Sequence, residues 1–360
     1  MEISGAVVLF LLWCGATILL GKPLEVFSPW KRLIYFGVML VLLSPMVRWE
    51  AIDRLRRYLW VFTLVILIAV PIVSIFMYAH KCFQAGELLR RFHGMTLGGL
   101  GLSHQCGMAA IIFSYLMFRR ARVEWVNILY GALTIICIYF VFIGGSRMGG
   151  VSLVAGLMVL VYYYRSKRAL VSVGVVVMVI LSIIAIAPLR DVLLDTYTFK
   201  FEGALAHSNI IYTRASLWEA RIAEIMQSPV WGVGFSGARE LALPFSDYET
   251  LFVKGRIEPG SSWLGLTAQL GIVGLALFIW VNVKSTGRMI QSVSDRSDAG
   301  QTTKGFETIL TGSPLVTALY VVLICQGFTE GYILSAGSFH CFMFWLLLSI
   351  AKDRTTHESK

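Results

Sequence analysis

Four residues of this sequence have the types and spacing to bind a phosphorylated sugar. Arg147 lies in the segment GGSRMGG, where small neighbours leave its guanidinium unobstructed and let helices approach closely. Arg214, Trp218 and Arg221 follow at i, i+4 and i+7, so they share one face of a helix. A guanidinium pairs bidentately with phosphate oxygens, and an indole offers a surface for stacking a sugar ring. The pattern indicates a diphosphate clamp.

Both features also have a simpler interpretation. Arg147 at the end of an apolar span fits an arginine that snorkels to the membrane surface. The face formed by Arg214, Trp218 and Arg221 fits an interfacial helix with basic residues at the headgroups and tryptophan as an anchor. Snorkelling arginines need no glycine setting, which favours phosphate binding for Arg147.

Other polar residues beside apolar segments are candidate substrate contacts. His104 and Gln105, in GGLGLSHQCGM, begin an apolar span, where a histidine indicates either a functional site or a buried interhelical hydrogen bond. Glu330 lies between the last two spans, where it pairs with an arginine or is solvated. The sequence has no DxD, HExxH or P-loop motif, so we expect no metal ion and no cofactor.

Long apolar runs must position these residues. The chain is 57% hydrophobic and 14% charged, against about 25% charged residues in a soluble domain, which predicts an all-α integral membrane protein. The Lys and Arg residues that give the chain its net charge of +10 cluster in loops beside these runs, as membrane topology requires. We therefore expect no nucleic-acid partner. Ten spans are predicted: about 5–21, 33–47 (extending back through Trp30), 58–79, 97–118, 123–143, 148–164, 169–188, 263–283, 314–329 and 332–351, the last two separated by a tight break around Gly331.

The orientation of the spans follows from their flanking charges. With both termini in the cytoplasm, the inner loops carry 17 Lys and Arg residues and the short outer loops 7, as the positive-inside rule requires. Residues 1–188 then hold seven spans, 189–262 form a large extracytoplasmic loop, 263–351 hold three spans and 352–360 form a cytoplasmic tail. Arg147 lies at the outer end of the fifth span.

The outer loop itself contains recognisable elements. Apolar residues at helical spacing predict an amphipathic helix over 213–227, which Pro229 stops. The glycines of GVG, Gly232 and Gly234, predict a turn that lets the backbone approach a ligand closely. A second Gly/Pro break, EPGSS at 258–262, leads into the eighth span.

In their order along about 99–275, these motifs resemble the O-antigen ligase and Wzy-type polysaccharide polymerase superfamily. The motifs are GLGLSHQCG, GGSRMGG, an R-x-x-x-W helix followed by PVWGVG, and PGSSWLGLTAQLGIVGL. The resemblance implies a GT-C-like membrane glycosyltransferase whose donor is a glycan on undecaprenyl diphosphate. It assigns catalysis to Arg147, Arg214 and Glu258, and substrate binding to Trp218, Arg221, Arg256, His104, Gln105, Gly232, Gly234, Ser261, Ser262 and Glu330.

One departure from the family pattern bears on the reaction. Ligases of this superfamily typically carry a histidine just before the motif leading into L-G-x-x-G-L, and here that position reads Gly260-Ser261-Ser262. We therefore expect an exopolysaccharide or O-antigen polymerase in the bacterial cytoplasmic membrane, with a chain-length regulator and other assembly proteins as partners besides the membrane lipids. The alternatives are an O-antigen ligase, a flippase or other transporter of lipid-linked sugars, and a non-catalytic assembly component.

Overall fold

The described part of the chain folds mainly into helices joined by turns. The computed structural model describes residues 2–21, 28–85, 92, 94–96, 99–119, 124–164, 212–237, 260–294 and 313–357. Within them lie ten helices: α1 (Gly5–Gly21), α2 (Pro29–Leu43), α3 (Glu50–Ala85), α4 (Gly99–Phe118), α5 (Glu124–Ile143), α6 (Arg147–Tyr164), α7 (Tyr212–Gln227), α8 (Ser262–Ser294), α9 (Ser313–Gln326) and α10 (Phe339–His357). Two short antiparallel strands, β1 (Glu2–Ile3) and β2 (Val47–Arg48), pair Glu2 with Arg48.

The described part of the chain is almost entirely helical, which is consistent with the predicted α-helical membrane protein. Among the described residues, 5 helices are long and apolar enough to cross a membrane, and three shorter apolar helices accompany them. The predicted span 169–188 and most of the predicted outer loop lie outside the described residues. The count of ten spans and their orientation therefore stay predictions.

Several predicted spans differ from the observed helices in their bounds: α3 and α8 are longer than predicted, and two other differences have identifiable reasons. Helix α2 ends at Leu43, not at residue 47, because Ser44 is extended ahead of Pro45. The predicted tight break around Gly331 is wrong, since residues 327–338 form a longer stretch of turns and bends before α10 begins at Phe339. Glycine and serine at 327, 331, 335, 337 and 338 favour turns over helix.

The structure divides into two compact units. The first comprises Met1–Leu59, Ile211–Gln291 and Gly327–Lys360, and the second comprises Trp60–Ile210 and Ser292–Gln326. The first unit is centred on an aromatic cluster in which the rings of Phe10, Phe278 and Trp345 lie 5.9 to 6.1 Å apart. Such tilted and edge-on arrangements suit the quadrupoles of aromatic rings.

Small residues set the packing of the second unit. Helix α4 packs against α5, α6 and α9. At Gly156 in α6, a Cβ atom would lie 2.6 Å from Val322 of α9 and 2.8 Å from Ile111 of α4. Glycine at this position therefore allows three apolar helices to approach one another closely, as in other membrane helix bundles.

Arg56 closes the C-terminal end of α2. Its side chain is fully buried, and it donates to the carbonyl oxygen of Leu42 at 2.9 Å and to that of Val41 at 3.2 Å. It also donates to the carbonyl of Ser44 and to the carboxylate of Asp53 at 2.9 Å. One guanidinium thus satisfies carbonyl groups that the last turn of a helix leaves without intrahelical partners.

Arg56→Ala is expected to destabilise the protein by about 3 kcal/mol, because it removes a buried charge and leaves buried acceptors unsatisfied. Arg56→Lys should restore only part of this, since an ammonium lacks the planar fork of donors. Thermal unfolding of the purified protein in detergent measures the effect.

The matched control for Arg56 is Arg54→Ala in the same helix. Arg54 bonds Glu50 at 3.0 Å, and both side chains are mostly exposed. An exposed i,i+4 pair contributes about 0.5 kcal/mol or less. Equal destabilisation by the two alanine variants would contradict a capping role for Arg56.

Candidate functional site

Arg147 is the first residue of α6. Helix α5 ends at Ile143, the chain turns through Gly144 and Gly145, and Ser146 caps the next helix by accepting the Gly149 N–H at 3.0 Å. Gly145 has φ +68°, a conformation that favours glycine. Arg147 was predicted at the outer end of the fifth span, and instead it begins the following helix. Its side chain is exposed, beside backbone N–H groups at a helix N-terminus, and this combination attracts anions.

The GLGLSHQCG segment packs against this turn. His104 is buried, and its Nε2 lies 3.2 Å from Ser146 Oγ. Ser103 donates to the carbonyl of Val141 at 2.8 Å, and a Cβ at Gly149 would overlap the Ser103 hydroxyl. Two of the four sequence motifs therefore meet in the second unit.

Gln105 lies on the same helix beside His104. Its side-chain Oε1 is buried and accepts no hydrogen bond from the part of the chain that the structure describes. An unsatisfied buried acceptor is costly in a protein interior. Gln105 is consequently a position where a donor from water or substrate would be stabilising.

Helix α7 carries the Arg–Trp face in the first unit. It covers Tyr212–Gln227 and ends ahead of Pro229, as the sequence predicts. Trp218 Nε1 donates to the Gly260 carbonyl at 3.1 Å. Arg214 lies one turn before Trp218 in the same helix, whereas Arg256 and Glu258 lie outside the described residues.

Arg221 forms a buried ion pair within α7. Its Nη1 lies 2.8 Å from Glu224 Oε2, with both side chains almost fully buried. Burial lowers the pKa of Arg221, and the Glu224 carboxylate opposes this shift. The substrate contact expected of Arg221 stays a prediction, while the structure gives its charge a partner inside the protein.

Gly260 and the two serines after it connect α8 to the turns before α10. Ser261 Oγ caps α8 by accepting the Leu264 N–H at 3.4 Å. Ser262 Oγ donates to the Glu330 carbonyl at 2.6 Å and accepts the Tyr332 N–H at 3.0 Å. The predicted residues Ser261, Ser262 and Glu330 are thus adjacent, and the two serines hold the backbone of this loop.

A kink in α8 explains the GVG turn. Gly271, in the LGIVGL motif, has φ +67° and ψ −175° and interrupts the helix. The break exposes carbonyls to other partners: the N–H groups of Val233 and Gly234 bond the carbonyls of residues 268 and 269 at 2.8 and 3.0 Å. Trp13 Nε1 bonds the carbonyl of residue 270 at 2.9 Å. The GVG turn therefore supplies N–H donors to carbonyl groups of the kinked helix α8, and both segments gain hydrogen-bond partners for their backbone.

The glycines of the turn make this contact sterically possible. Gly232 has φ +75° and Gly234 has φ +105°. A Cβ at Gly232 would overlap the Gln269 carbonyl, and one at Gly271 would overlap the Val230 carbonyl. The close approach predicted for Gly232 and Gly234 is therefore made to the backbone of α8, and a contact with substrate stays a prediction.

A cavity of about 400 Å³ lies beside this turn in the first unit. Arg32 Nη1 donates to Ser236 Oγ at 2.8 Å, and the Ser236 N–H donates to Gln269 Oε1 at 2.9 Å. Ser236 adopts φ +55°, an uncommon conformation for a residue with a side chain. The lining comprises Arg32, Tyr35, Ser236, Ser262, Gly265, Leu266, Gln269 and the segment 331–337.

Sequence reasoning missed the role of Arg32 and Gln269. Arg32 entered only the count of loop charges that sets the orientation, and its partner is about 200 residues away in the chain, at Ser236. Gln269 had a detectable signal, because it is an amide within the apolar run LGLTAQLGIVGL. Polar side chains inside a membrane span indicate functional sites.

The described site residues fall into one group in each unit. His104, Gln105 and Arg147 belong to the second unit. Trp218, Arg221, Gly232, Gly234, Ser261, Ser262 and Glu330 belong to the first, together with Arg32 and Gln269. Each group combines a helix N-terminus, small residues and at least one arginine.

Comparison with known proteins supports the motif-based resemblance. Residues 132–279 match the family model Wzy_C, described as O-Antigen ligase. The match begins in α5 and includes the Arg147 turn, α7, the GVG turn and the kinked part of α8. No curated protein matches the chain.

Proposed function

We propose, from the match of residues 132–279 to the O-Antigen ligase family model, that the protein polymerises undecaprenyl-diphosphate-linked glycan repeat units at the outer face of the bacterial cytoplasmic membrane. The observation that carries the proposal is the family match over residues 132–279, a segment in which an exposed arginine begins an apolar helix. Lipid-linked oligosaccharide is then the substrate class, and membrane lipids surround the protein.

The reaction is a glycosyl transfer with inversion. A hydroxyl oxygen of the acceptor glycan attacks the anomeric carbon of the donor sugar and forms the new C–O bond. The bond from that carbon to the diphosphate oxygen breaks, and its electron pair leaves on the lipid diphosphate. The hydroxyl proton passes to a base, for which Glu258 is the candidate in sequence, with His104 as the alternative.

Arginines supply the charge that this reaction needs. Negative charge develops on the departing diphosphate, and fixed cations directed at developing charge are usually the largest contribution to catalysis. Arg147 and Arg214 are the proposed cations, with Arg221 or Arg256 assisting. The exposure of Arg147 at a helix N-terminus supports this role. Fixed arginines would take the place of a divalent ion, so the proposed reaction needs no metal.

The geometry at Gly260 supports polymerisation over ligation. Where ligases of the superfamily carry histidine, this chain has Gly260 with φ +66°, and a Cβ there would lie 2.8 Å from Leu217 Cβ. The next two positions are buried serines that cap α8 and hold its preceding loop. A histidine at 260 would be strained and crowded, and one at 261 or 262 would remove a hydroxyl that bonds the backbone.

Ligation is the second candidate function. The family that matches residues 132–279 is described as O-Antigen ligase, which favours transfer of the glycan to a different acceptor. The two reactions share donor, leaving group and arginines, and they differ in the acceptor. Acceptor identity is therefore the quantity to measure.

The decisive experiment uses purified protein in lipid nanodiscs with a defined lipid-linked repeat unit and with neither nucleotide nor metal ion. Polymerase activity predicts a ladder of lipid-linked products and release of free lipid diphosphate. Addition of a lipid A core acceptor should leave the ladder unchanged; transfer to that core without a ladder would establish a ligase. Absence of any bond formation, with transfer of the intact substrate across vesicle membranes, would establish a transporter.

A further inference from the structure

Helix α7 has one buried face and one exposed apolar face. Its ion pair is buried on the first. The second carries Ile222 and Met226 at i and i+4, and Val230 and Trp231 continue it beyond the end of the helix. These side chains are exposed, Met226 by 77% and Trp231 by 48%, and we call them the α7 apolar face. Grouped apolar side chains are unfavourable in water, so this face requires an apolar partner.

Helix α7 runs alongside the first part of α8. Residues Ser262–Gly287 of α8 are long and apolar enough to cross a membrane. Trp218 donates to the Gly260 carbonyl at 3.1 Å, just before that span begins. After the end of α7, the Val230 carbonyl lies so close to Gly271 that a Cβ there would overlap it. Gly271 is about 14 Å along α8 from its first residue, so Val230 lies nearer the middle of the span than Trp218 does.

Helix α1 places the same segment at a similar depth. The rings of Trp13 and Trp231 lie 5.6 Å apart, and Trp13 also bonds the carbonyl of residue 270 at 2.9 Å. At Gly21, the last residue of α1, a Cβ would overlap the backbone of Gly234. Trp13 and Gly21 are separated by about 12 Å along the helix axis. The chain therefore follows α1 from its end at Gly21 to its middle, where Trp231 lies.

The irregular backbone after α7 has the hydrogen bonds that an apolar environment requires. Every N–H from residue 232 to residue 237 donates a hydrogen bond to α8, to α1 or within the segment. The Phe235 N–H bonds Thr17 Oγ1 at 3.1 Å, and the Ser236 N–H bonds Gln269 Oε1 at 2.9 Å. Most of these residues are buried. Non-helical backbone is tolerated at membrane depth where protein encloses it and supplies such partners.

The α7 apolar face adjoins the apolar surface of the α8 span. Ile272, Ile279 and Val283 are exposed and share one face of α8, since they lie at i, i+7 and i+11. The Ile272 N–H donates to the Pro229 carbonyl at 2.8 Å, so this stripe begins next to Val230. Exposed apolar side chains on a membrane span face lipid tails. The α7 apolar face extends that lipid-facing surface.

We propose that the α7 apolar face contacts the hydrocarbon tails of membrane lipids, and that residues 228–237 form a re-entrant segment within the leaflet around the first half of α8. Part of the predicted outer loop 189–262 then lies in the membrane. Lipid is the partner because the face continues the apolar surface of a span and has Trp231 at the middle of α1. The proposal depends on neither the reaction nor its substrate.

The test places nitroxide spin labels on the full chain in phospholipid nanodiscs and measures which relaxing agent reaches them. Molecular oxygen concentrates in hydrocarbon, whereas a nickel chelate stays in water. The signal of native thiols, recorded on the labelled wild type, is subtracted. The ratio of oxygen to nickel accessibility at Val230→Cys should exceed that at Glu50→Cys about tenfold. Glu50 is an exposed carboxylate at the polar start of α3, and Ile279→Cys gives the lipid-facing reference.

A gradient along α7 is expected as well. Met226→Cys should give a ratio between those of Val230→Cys and Glu219→Cys, because Glu219 is exposed two turns nearer the start of the helix. Size-exclusion chromatography identifies folded variants, and two labelled positions on the face keep the test decisive if one variant misfolds. Ratios at Val230 and Met226 equal to that at Glu50 would place the face in water and overturn the proposal. Low accessibility to both agents at both positions would show that protein covers the face, and would overturn it too.

Discussion

Arg147→Ala and Arg214→Ala should each abolish polymer formation, by at least about 100-fold, while the protein still inserts and folds. In the proposed mechanism, each change removes a cation that stabilises the departing diphosphate, while the apolar residues of the helices are unchanged. Lysine at either position should rescue only partly, because it lacks the bidentate fork. The measurement is the rate at which purified protein converts a lipid-linked repeat unit into polymer, with folded protein quantified by size-exclusion chromatography.

Arg54→Ala is the control for these variants, since Arg54 is an exposed cation paired within its own helix. It should polymerise at the wild-type rate. Normal polymer length and rate from both Arg147→Ala and Arg214→Ala would refute the diphosphate clamp.

Gly271→Ala should destabilise the protein by about 2–5 kcal/mol, enough to leave little folded material. The new methyl group would overlap the Val230 carbonyl, in a backbone conformation of φ +67° that L-residues adopt with strain. Removing this overlap would require α8 to straighten, and the N–H groups of the GVG turn would then lose the carbonyl groups that they bond. Thermal unfolding and the yield of monodisperse protein report the loss.

Gly287→Ala is the matched control within the same helix. A Cβ at Gly287 meets nothing within 4 Å, and its backbone is regular. Alanine there should be neutral or should stabilise by up to about 1 kcal/mol through helix propensity. A folded, stable Gly271→Ala protein would show that the kink is not required.

Apolar patterning predicted most helices, because a membrane span requires a continuous apolar run whatever it packs against. Helices α1, α4, α5, α6 and α7 have bounds within about two residues of those predicted. The turns at 327–338 were missed because Ile333 and Leu334 make that stretch read as apolar. The backbone of this loop is instead bonded by the hydroxyl of Ser262, 70 residues earlier in the chain.

Site prediction identified the motifs better than the contacts they make. The glycines of GVG and LGIVGL are detectable in sequence, but their pairing across the α8 kink depends on the tertiary fold. The sequence places Arg221 on one helix face with Arg214 and Trp218. In the structure, the ion-pair partner of Arg221 is Glu224, three residues later. The Arg32–Ser236 contact had no local signal.

The GVG turn and Gly260 are both anchored to neighbouring helices. Val233 and Gly234 bond α8 on one side of residues 238–259, and Gly260 bonds Trp218 on the other. The described residues on either side of 238–259 are therefore held by contacts of their own. Closing a loop between fixed ends costs only about 0.6 kcal/mol more for each doubling of length. We therefore expect a change in the length of 238–259 to alter the free energy of unfolding little, because the contacts that hold the flanking residues are unaffected.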